Sequence, residues 1–114
     1  MKKLPILVLL LAAAFVVRAA DLSGTWSAAV VLDAGSGTAT FVFQQTGANI
    51  SGTYSGVLGD AKVTGTVMDD QVEWSFDSQA GKVTFKGTLE GPAKMKGTAQ
   101  YGQLGKGTFT AEKK

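Results

Sequence analysis

Residues 63–76 read Val63-Thr64-Gly65-Thr66-Val67-Met68-Asp69-Asp70-Gln71-Val72-Glu73-Trp74-Ser75-Phe76, and the phase of this stretch decides the fold. Before the two aspartates the small or apolar residues fall on odd positions, Val63, Gly65 and Val67; after them they fall on even ones, Val72, Trp74 and Phe76. Alternation of this kind marks a strand with one buried face, because successive side chains point to opposite sides. With Val67 opposite Val72, Asp69-Asp70 becomes a two-residue hairpin loop closed by Met68 and Gln71, and both strands turn the same face inward.

The same alternation extends in both directions. Glycine directly followed by threonine occurs at 24–25, 37–38, 52–53, 65–66, 87–88, 97–98 and 107–108, each time with glycine in the apolar phase and threonine in the polar one. The expected inward sets are Leu22, Gly24, Trp26, Ala28 and Val30; Gly37, Ala39, Phe41 and Phe43; Ile50, Gly52, Tyr54, Gly56 and Leu58; and Val63, Gly65 and Val67. They continue with Val72, Trp74 and Phe76; Val83, Phe85, Gly87 and Leu89; Ala93, Met95, Gly97, Ala99 and Tyr101; and Gly107, Phe109 and Ala111. Phase agreement across the turns then suggests the hairpins. Phe76 opposite Val83 makes Asp77 and Lys82 a closing pair around residues 78–81; Leu58 opposite Ala61 leaves Gly59-Asp60; Leu89 opposite Ala93 leaves Glu90-Gly91-Pro92.

No helical period follows residue 20, so the chain reads as all-β. Eight sequential strands with short connections predict an antiparallel up-and-down barrel, a closed meander, with an open sandwich as the alternative. The outward phase carries Thr25, Thr40, Thr53, Thr64, Glu73, Thr84, Thr98 and Thr110, which excludes the apolar outer band of a membrane barrel. Inward glycines have two readings: they permit sharply bent strands to close on one another, or they clear room for a ligand. Their presence on all the strands but the fifth favours closure.

Residues 1–19 have the features of a secretory signal peptide: Lys2 and Lys3, an apolar run from Leu4 to Val17, and small residues at Ala19 and Ala20, with cleavage expected after Ala19. Residues 20–114 then form a single β-barrel domain. Removal of the leader takes away Lys2, Lys3 and Arg18 and leaves eight basic against nine acidic residues. The expected location is periplasmic or secreted, with no membrane span after cleavage. The chain has no cysteine, so no disulfide reinforces it.

The chain also has no histidine. The usual general base, metal ligand and thiol nucleophile are therefore missing together, and a non-enzyme with no cofactor and no metal is expected. Its carboxylates fall in turns (Asp60, Asp69, Asp70, Glu90) or on the outer face (Glu73, Asp77), which leaves no inward acid pair. The inward face is uncharged and aromatic. Tyr54, Trp74, Phe41, Phe43, Phe85 and Tyr101 are the candidate residues for a small, mostly apolar ligand, since an apolar lumen with a few hydrogen-bonding groups suits one. The same rings would equally fill a core, which makes a filled-core interaction module, binding a protein through its outer surface and loops or self-associating, the alternative.

Charge on the outside is uneven. Residues 21–77 hold seven acids and one lysine, and residues 78–114 hold seven lysines and two acids. With Gly91 centred in its hairpin, Lys86 and Lys96 fall opposite each other, a repulsion that an acidic or anionic surface partner would relieve. Lysines that protect strand edges are the simpler account. Nucleic acid is not expected, because no aromatic platform faces outward.

The pieces Leu22-Ser23-Gly24-Thr25-Trp26, Ile50-Ser51-Gly52-Thr53-Tyr54, Val72-Glu73-Trp74 and Gly107-Thr108-Phe109-Thr110 resemble, in order, the calycin-type small barrels, and most of all the avidin and streptavidin family. The resemblance implies that Tyr54 holds a ligand's ureido oxygen, that Trp74 walls the pocket and that Trp26 plugs the closed end. The family's other pocket tryptophans have no counterpart: the seventh strand reads Gly97-Thr98-Ala99-Gln100-Tyr101, and Gly107 stands where an aspartate is expected. Tight biotin binding is therefore not implied.

Overall fold

The computed structural model describes residues 21–114; the expected signal peptide lies outside the described residues. Eight strands follow in order: β1 (Gly24–Leu32), β2 (Gly35–Thr46), β3 (Asn49–Gly56), β4 (Gly59–Met68), β5 (Gln71–Ser78), β6 (Gly81–Leu89), β7 (Lys94–Tyr101) and β8 (Lys106–Lys113), with a 3-10 turn at Gly102–Leu104. Each strand pairs antiparallel with the next, and β1 pairs with β8 as well as β2, so the sheet closes into a barrel. The sandwich alternative is excluded by that last pairing.

The stagger of the barrel can be followed residue by residue. Paired positions run from Leu32 through Gly107, Phe85, Trp74 and Ile50 to Gln45, whose side-chain oxygen accepts the Leu22 amide. One circuit thus returns to the line of the first strand ten residues away (32 − 22). Eight strands with this stagger tilt roughly 40° from the axis and enclose an interior that side chains can fill or that one small ligand can occupy.

The alternation read from the sequence holds on every strand. Val63, Val67, Val72, Trp74 and Phe76 are buried, and Val67 faces Val72 across the Asp69-Asp70 turn as the phase requires. Asp69 takes a left-handed φ of 57°, a conformation aspartate tolerates better than most residues. Asp77 opposite Lys82 is also as expected.

Two hairpins differ from the expected register. On β3 and β4, Gly56 faces Gly59 and Tyr54 faces Ala61, so the loop is Val57-Leu58 and not Gly59-Asp60. On β6 and β7, Leu89 faces Met95, the Glu90 amide bonds the Lys94 carbonyl at 2.8 Å, and Ala93 belongs to the loop. Consequently Lys86 faces Thr98 and Lys96 faces Thr88, and the expected Lys86–Lys96 opposition does not exist. The physical reason is common to both. A slip of two or four residues keeps every side chain on its face, so phase cannot detect it, and local turn geometry decides. The three two-residue loops at one end, Asp33-Ala34, Val57-Leu58 and Gln79-Ala80, are each followed by a glycine of positive φ: Gly35, Gly59 and Gly81. This is the turn-plus-bulge arrangement that only glycine enters without strain.

The inward glycines serve closure. A Cβ on Gly52, Gly65, Gly97 or Gly107 would run into the backbone carbonyl of Val42, Glu73, Lys86 or Val31 respectively, each on the adjoining strand. At Gly56 the obstacle is the phenol of Tyr54, which lies over it. Among the described residues no helix is long and apolar enough to cross a membrane.

Candidate functional site

The six residues expected to line a ligand site come together inside the barrel, packed against one another. Phe41 (β2) stands at the centre, with ring centroids 5.6 Å from Phe43, 5.5 Å from Tyr54, 5.3 Å from Trp74 and 5.1 Å from Phe85. Trp74 (β5) and Phe85 (β6) are stacked at 5.1 Å with planes 7° apart, as their direct pairing across the strands permits. Tyr54 stacks on Phe76 at 4.2 Å, and Phe109 meets both Trp74 and Phe85 edge-on. Tyr101 (β7) tilts onto Phe85 at 5.7 Å. Stacked and edge-to-face pairs at these separations each add about 0.5–1.5 kcal/mol beyond area burial, which a chain with no disulfide needs.

One end of the barrel is plugged by its own chain. Gly24 has a φ of 131°, and the preceding segment places Leu22, fully buried, at the end of the lumen. The Trp26 indole donates to the Leu22 carbonyl at 2.9 Å, the Leu22 amide donates to Gln45 Oε1 at 2.8 Å, and Lys113 Nζ donates to the Asp21 carbonyl at 3.0 Å. Trp26 is thus part of a plug. The exposed Asp21 carboxylate accepts the Ser23 amide, which holds it below its ordinary acid range.

The opposite end is open. There a cleft of ≈ 300 Å³ lies between the β1–β2 turn, the β3–β4 turn and the 3-10 turn, with Val30 and Tyr101 on its inner side and Val57 and Leu104 at its rim. Val57 is 83% exposed and Leu104 41%. Of the six expected site residues only Tyr101 lines this cleft; Phe41, Phe43, Tyr54, Trp74 and Phe85 lie beneath it in the packed interior. The sequence reading missed Val57 and Leu104. The available signal was an apolar Val57-Leu58 pair held between Gly56 and Gly59, a turn that puts a branched aliphatic side chain into water.

Polar atoms in this region are few. The Tyr54 hydroxyl accepts the Leu58 amide at 3.3 Å, tying the lumen to the β3–β4 turn. Burial pushes the Tyr101 phenol well above the ordinary tyrosine range, and the nearby Tyr54 adds to the shift. The indole N–H of Trp74 is buried with no hydrogen-bond partner. Among the described residues no charged side chain is buried, and no three His, Cys, Asp or Glu side chains are grouped to hold a metal.

On the outer face two lysines of the basic half have acidic partners from the same half, and a third faces an acid from the other half. Lys96 Nζ lies 3.1 Å from Glu90 and Lys94 Nζ 4.0 Å from Glu112, while Lys86 stands opposite Glu73 on β5. These exposed pairs contribute little to stability, about 0–1 kcal/mol each.

Solved structures similar to this chain include a redesigned barrel, a de novo designed one and a third protein solved with a bound ligand. A redesigned β-barrel, b11L5F_LGL, matches with a TM-score of 0.68 at 18% identity over 82% of this chain and 91% of that one. A de novo designed fluorescence-activating β-barrel matches with a TM-score of 0.63 at 16% identity, over 82% and 94% of the two chains. EF1p2_mFAP2b, solved bound to DFHBI, matches with a TM-score of 0.58 at 18% identity over 82% and 94%. At these identities the likeness establishes the fold, a closed eight-stranded barrel. No protein-family model matches the chain, and no curated protein matches it.

Proposed function

We propose that this protein is an exported, non-enzymatic barrel that binds a small, mostly apolar molecule at its open end. The observation that carries the reading is the ≈ 300 Å³ cleft, walled by Val30 and Tyr101 and rimmed by the exposed aliphatic side chains of Val57 and Leu104. Isolated apolar residues on a surface are ordinary, but two of them flanking a concave, uncharged mouth form a small-ligand entrance. A neighbour of the same fold was solved bound to DFHBI, so a scaffold of this size can hold a small molecule. The absence of histidine and cysteine supports binding over catalysis.

The avidin-like strand motifs support the same class of function but not the same ligand. Tyr54, which the resemblance makes a ureido contact, is buried and stacked on Phe76 with its hydroxyl turned to the Leu58 amide, and Trp74 is packed between Phe41, Phe43, Phe85 and Phe109. The test is native mass spectrometry of the protein recovered from the exported fraction, before and after denaturation. A defined extra mass that leaves on denaturation, and that a Val57→Asp, Leu104→Asp double variant no longer carries, is expected. A bare chain mass in the wild type overturns the proposal.

A further inference from the structure

Trp74 presents an anomaly in an otherwise satisfied interior. Its side chain is 1% exposed, and its indole N–H has no acceptor. Trp26, the other tryptophan, donates to a backbone carbonyl, as buried indoles normally do. Leaving a buried donor unpaired is costly, and the neighbours of Trp74 offer nothing: Phe41, Phe43, Phe85 and Phe109 carry no oxygen or nitrogen in their side chains. A lone water is a poor solution, since a buried water needs two to four polar partners and this surrounding provides one.

The position of Trp74 relative to the cleft gives the anomaly a meaning. Phe109 is paired with Val30, and Phe85 rests against Tyr101; Val30 and Tyr101 form the inner side of the cleft, and both Phe109 and Phe85 touch Trp74. The indole therefore lies one ring beneath the cleft wall. On the open-end side of that layer the inward positions are small around β1, β2 and β8, with Ala28 facing Ala39, Ala99 facing Gly107 and Gly37 facing Val30, and larger around β5 and β6, where Phe76 faces Val83 and Val83 faces Tyr101 of β7. Phe85 and Tyr101 are both buried, so a guest reaches the indole only when these two rings rotate aside. The one ring that stacks face to face on the Trp74 indole is Phe85, at 7°, while Phe41, Phe43 and Phe109 meet it edge-on, so the indole face offers a flat surface only on the Phe85 side.

We infer that the guest is a flat, conjugated molecule bearing a hydrogen-bond acceptor, which enters from the cleft, lies along the Trp74–Phe85 stack and accepts the Trp74 indole N–H. This rests on the reading of the cleft as a ligand entrance and names the chemistry of what passes through it. An apolar ring system supplies the burial, and one carbonyl-type oxygen supplies the partner that the chain itself lacks.

The experiment compares 2-acetylnaphthalene with 2-ethylnaphthalene, which share their rings and differ in the acceptor, by titration against the wild-type protein and Trp74→Phe. The wild type is expected to prefer the ketone about tenfold, the size of one hydrogen bond to an otherwise unsatisfied donor. In Trp74→Phe the ratio of the two affinities falls to about one, whatever happens to both together. The Trp74 indole N–H resonance of the wild type should move downfield with the ketone and stay in place with the hydrocarbon, a readout that does not depend on the variant folding. Equal affinities in the wild type, or a preference that survives in Trp74→Phe, overturn the role of Trp74 and leave the entrance standing; the N–H would then be spent on the faces of the surrounding phenyl rings. Failure of both probes to bind the wild type overturns the entrance itself.

Discussion

Replacing Gly97 with alanine should damage this barrel far more than replacing Gly37, although both are inward glycines of the same Gly-Thr pair. A Cβ on Gly97 would overlap the Lys86 carbonyl and come within 2.7 Å of the Gly87 Cα, so the obstacle is backbone and cannot rotate away. The β6 and β7 strands must part locally. Overpacking of this kind costs about 1–3 kcal/mol, and loosening one or two ladder hydrogen bonds adds about 1 kcal/mol each. Alanine recovers roughly 0.5–1 kcal/mol of chain entropy relative to glycine. The net loss is about 1–4 kcal/mol, a drop in Tm on the order of 5–30 °C for a domain of this length. At Gly37 nothing lies within 4 Å of the added methyl and φ is outside the glycine-only region, so the entropy gain stands alone, about 0.4–1 kcal/mol of stabilisation. Urea unfolding followed by tryptophan fluorescence measures both. A Gly97→Ala variant within about 1 kcal/mol of wild type, or a Gly37→Ala variant equally damaged, would refute the assignment of the inward glycines to barrel closure.

Phe41→Ala removes the ring at the centre of the aromatic cluster and should cost about 3–5 kcal/mol, read as a lowered urea midpoint; a loss under about 1 kcal/mol would mean the interior is not packed as described. Leu22→Ala should cost about 2–5 kcal/mol and red-shift Trp26 emission as the plugged end opens to water, whereas an unchanged spectrum would place the plug elsewhere. The Tyr101 phenol has its folded pKa raised, so it contributes stability that is fully present below the unfolded tyrosine value and is lost as pH climbs above about 10. Melting curves of Tyr101→Phe should accordingly lose less stability than wild type between about pH 9 and 11, and parallel curves would argue against burial of the phenol. Glu90→Gln breaks the exposed pair with Lys96 and should change stability by no more than about 1 kcal/mol, with the difference vanishing in high salt.

The hairpin at residues 63–76 was legible because each of its signals is local. Alternation fixes the face, two adjacent aspartates fix the loop, and the pairing of Val67 with Val72 follows. The β3–β4 and β6–β7 hairpins carried the same alternation yet were displaced by four and two residues, because Gly59-Asp60 and Gly91-Pro92 look like loops whether or not they are the turn itself. The candidate site was half legible. Phase placed Phe41, Phe43, Tyr54, Trp74, Phe85 and Tyr101 indoors, but nothing along the chain distinguishes a ring that lines a pocket from one that fills a core.

By itself the sequence determined the class of fold, the number and order of the strands and the face of each residue, because a period of two is a property of neighbouring peptides and needs no knowledge of the partner strand. Tertiary structure alone decided the rest: the closing pair of β1 and β8, the stagger of ten residues, the filled interior, the plug beneath Trp26 and the open mouth under Val57 and Leu104. Those outcomes depend on how eight tilted strands bring side chains from distant positions into one small volume, and on which of them run out of room. Crowding of that kind is a sum over the whole barrel, and no segment of the chain contains it.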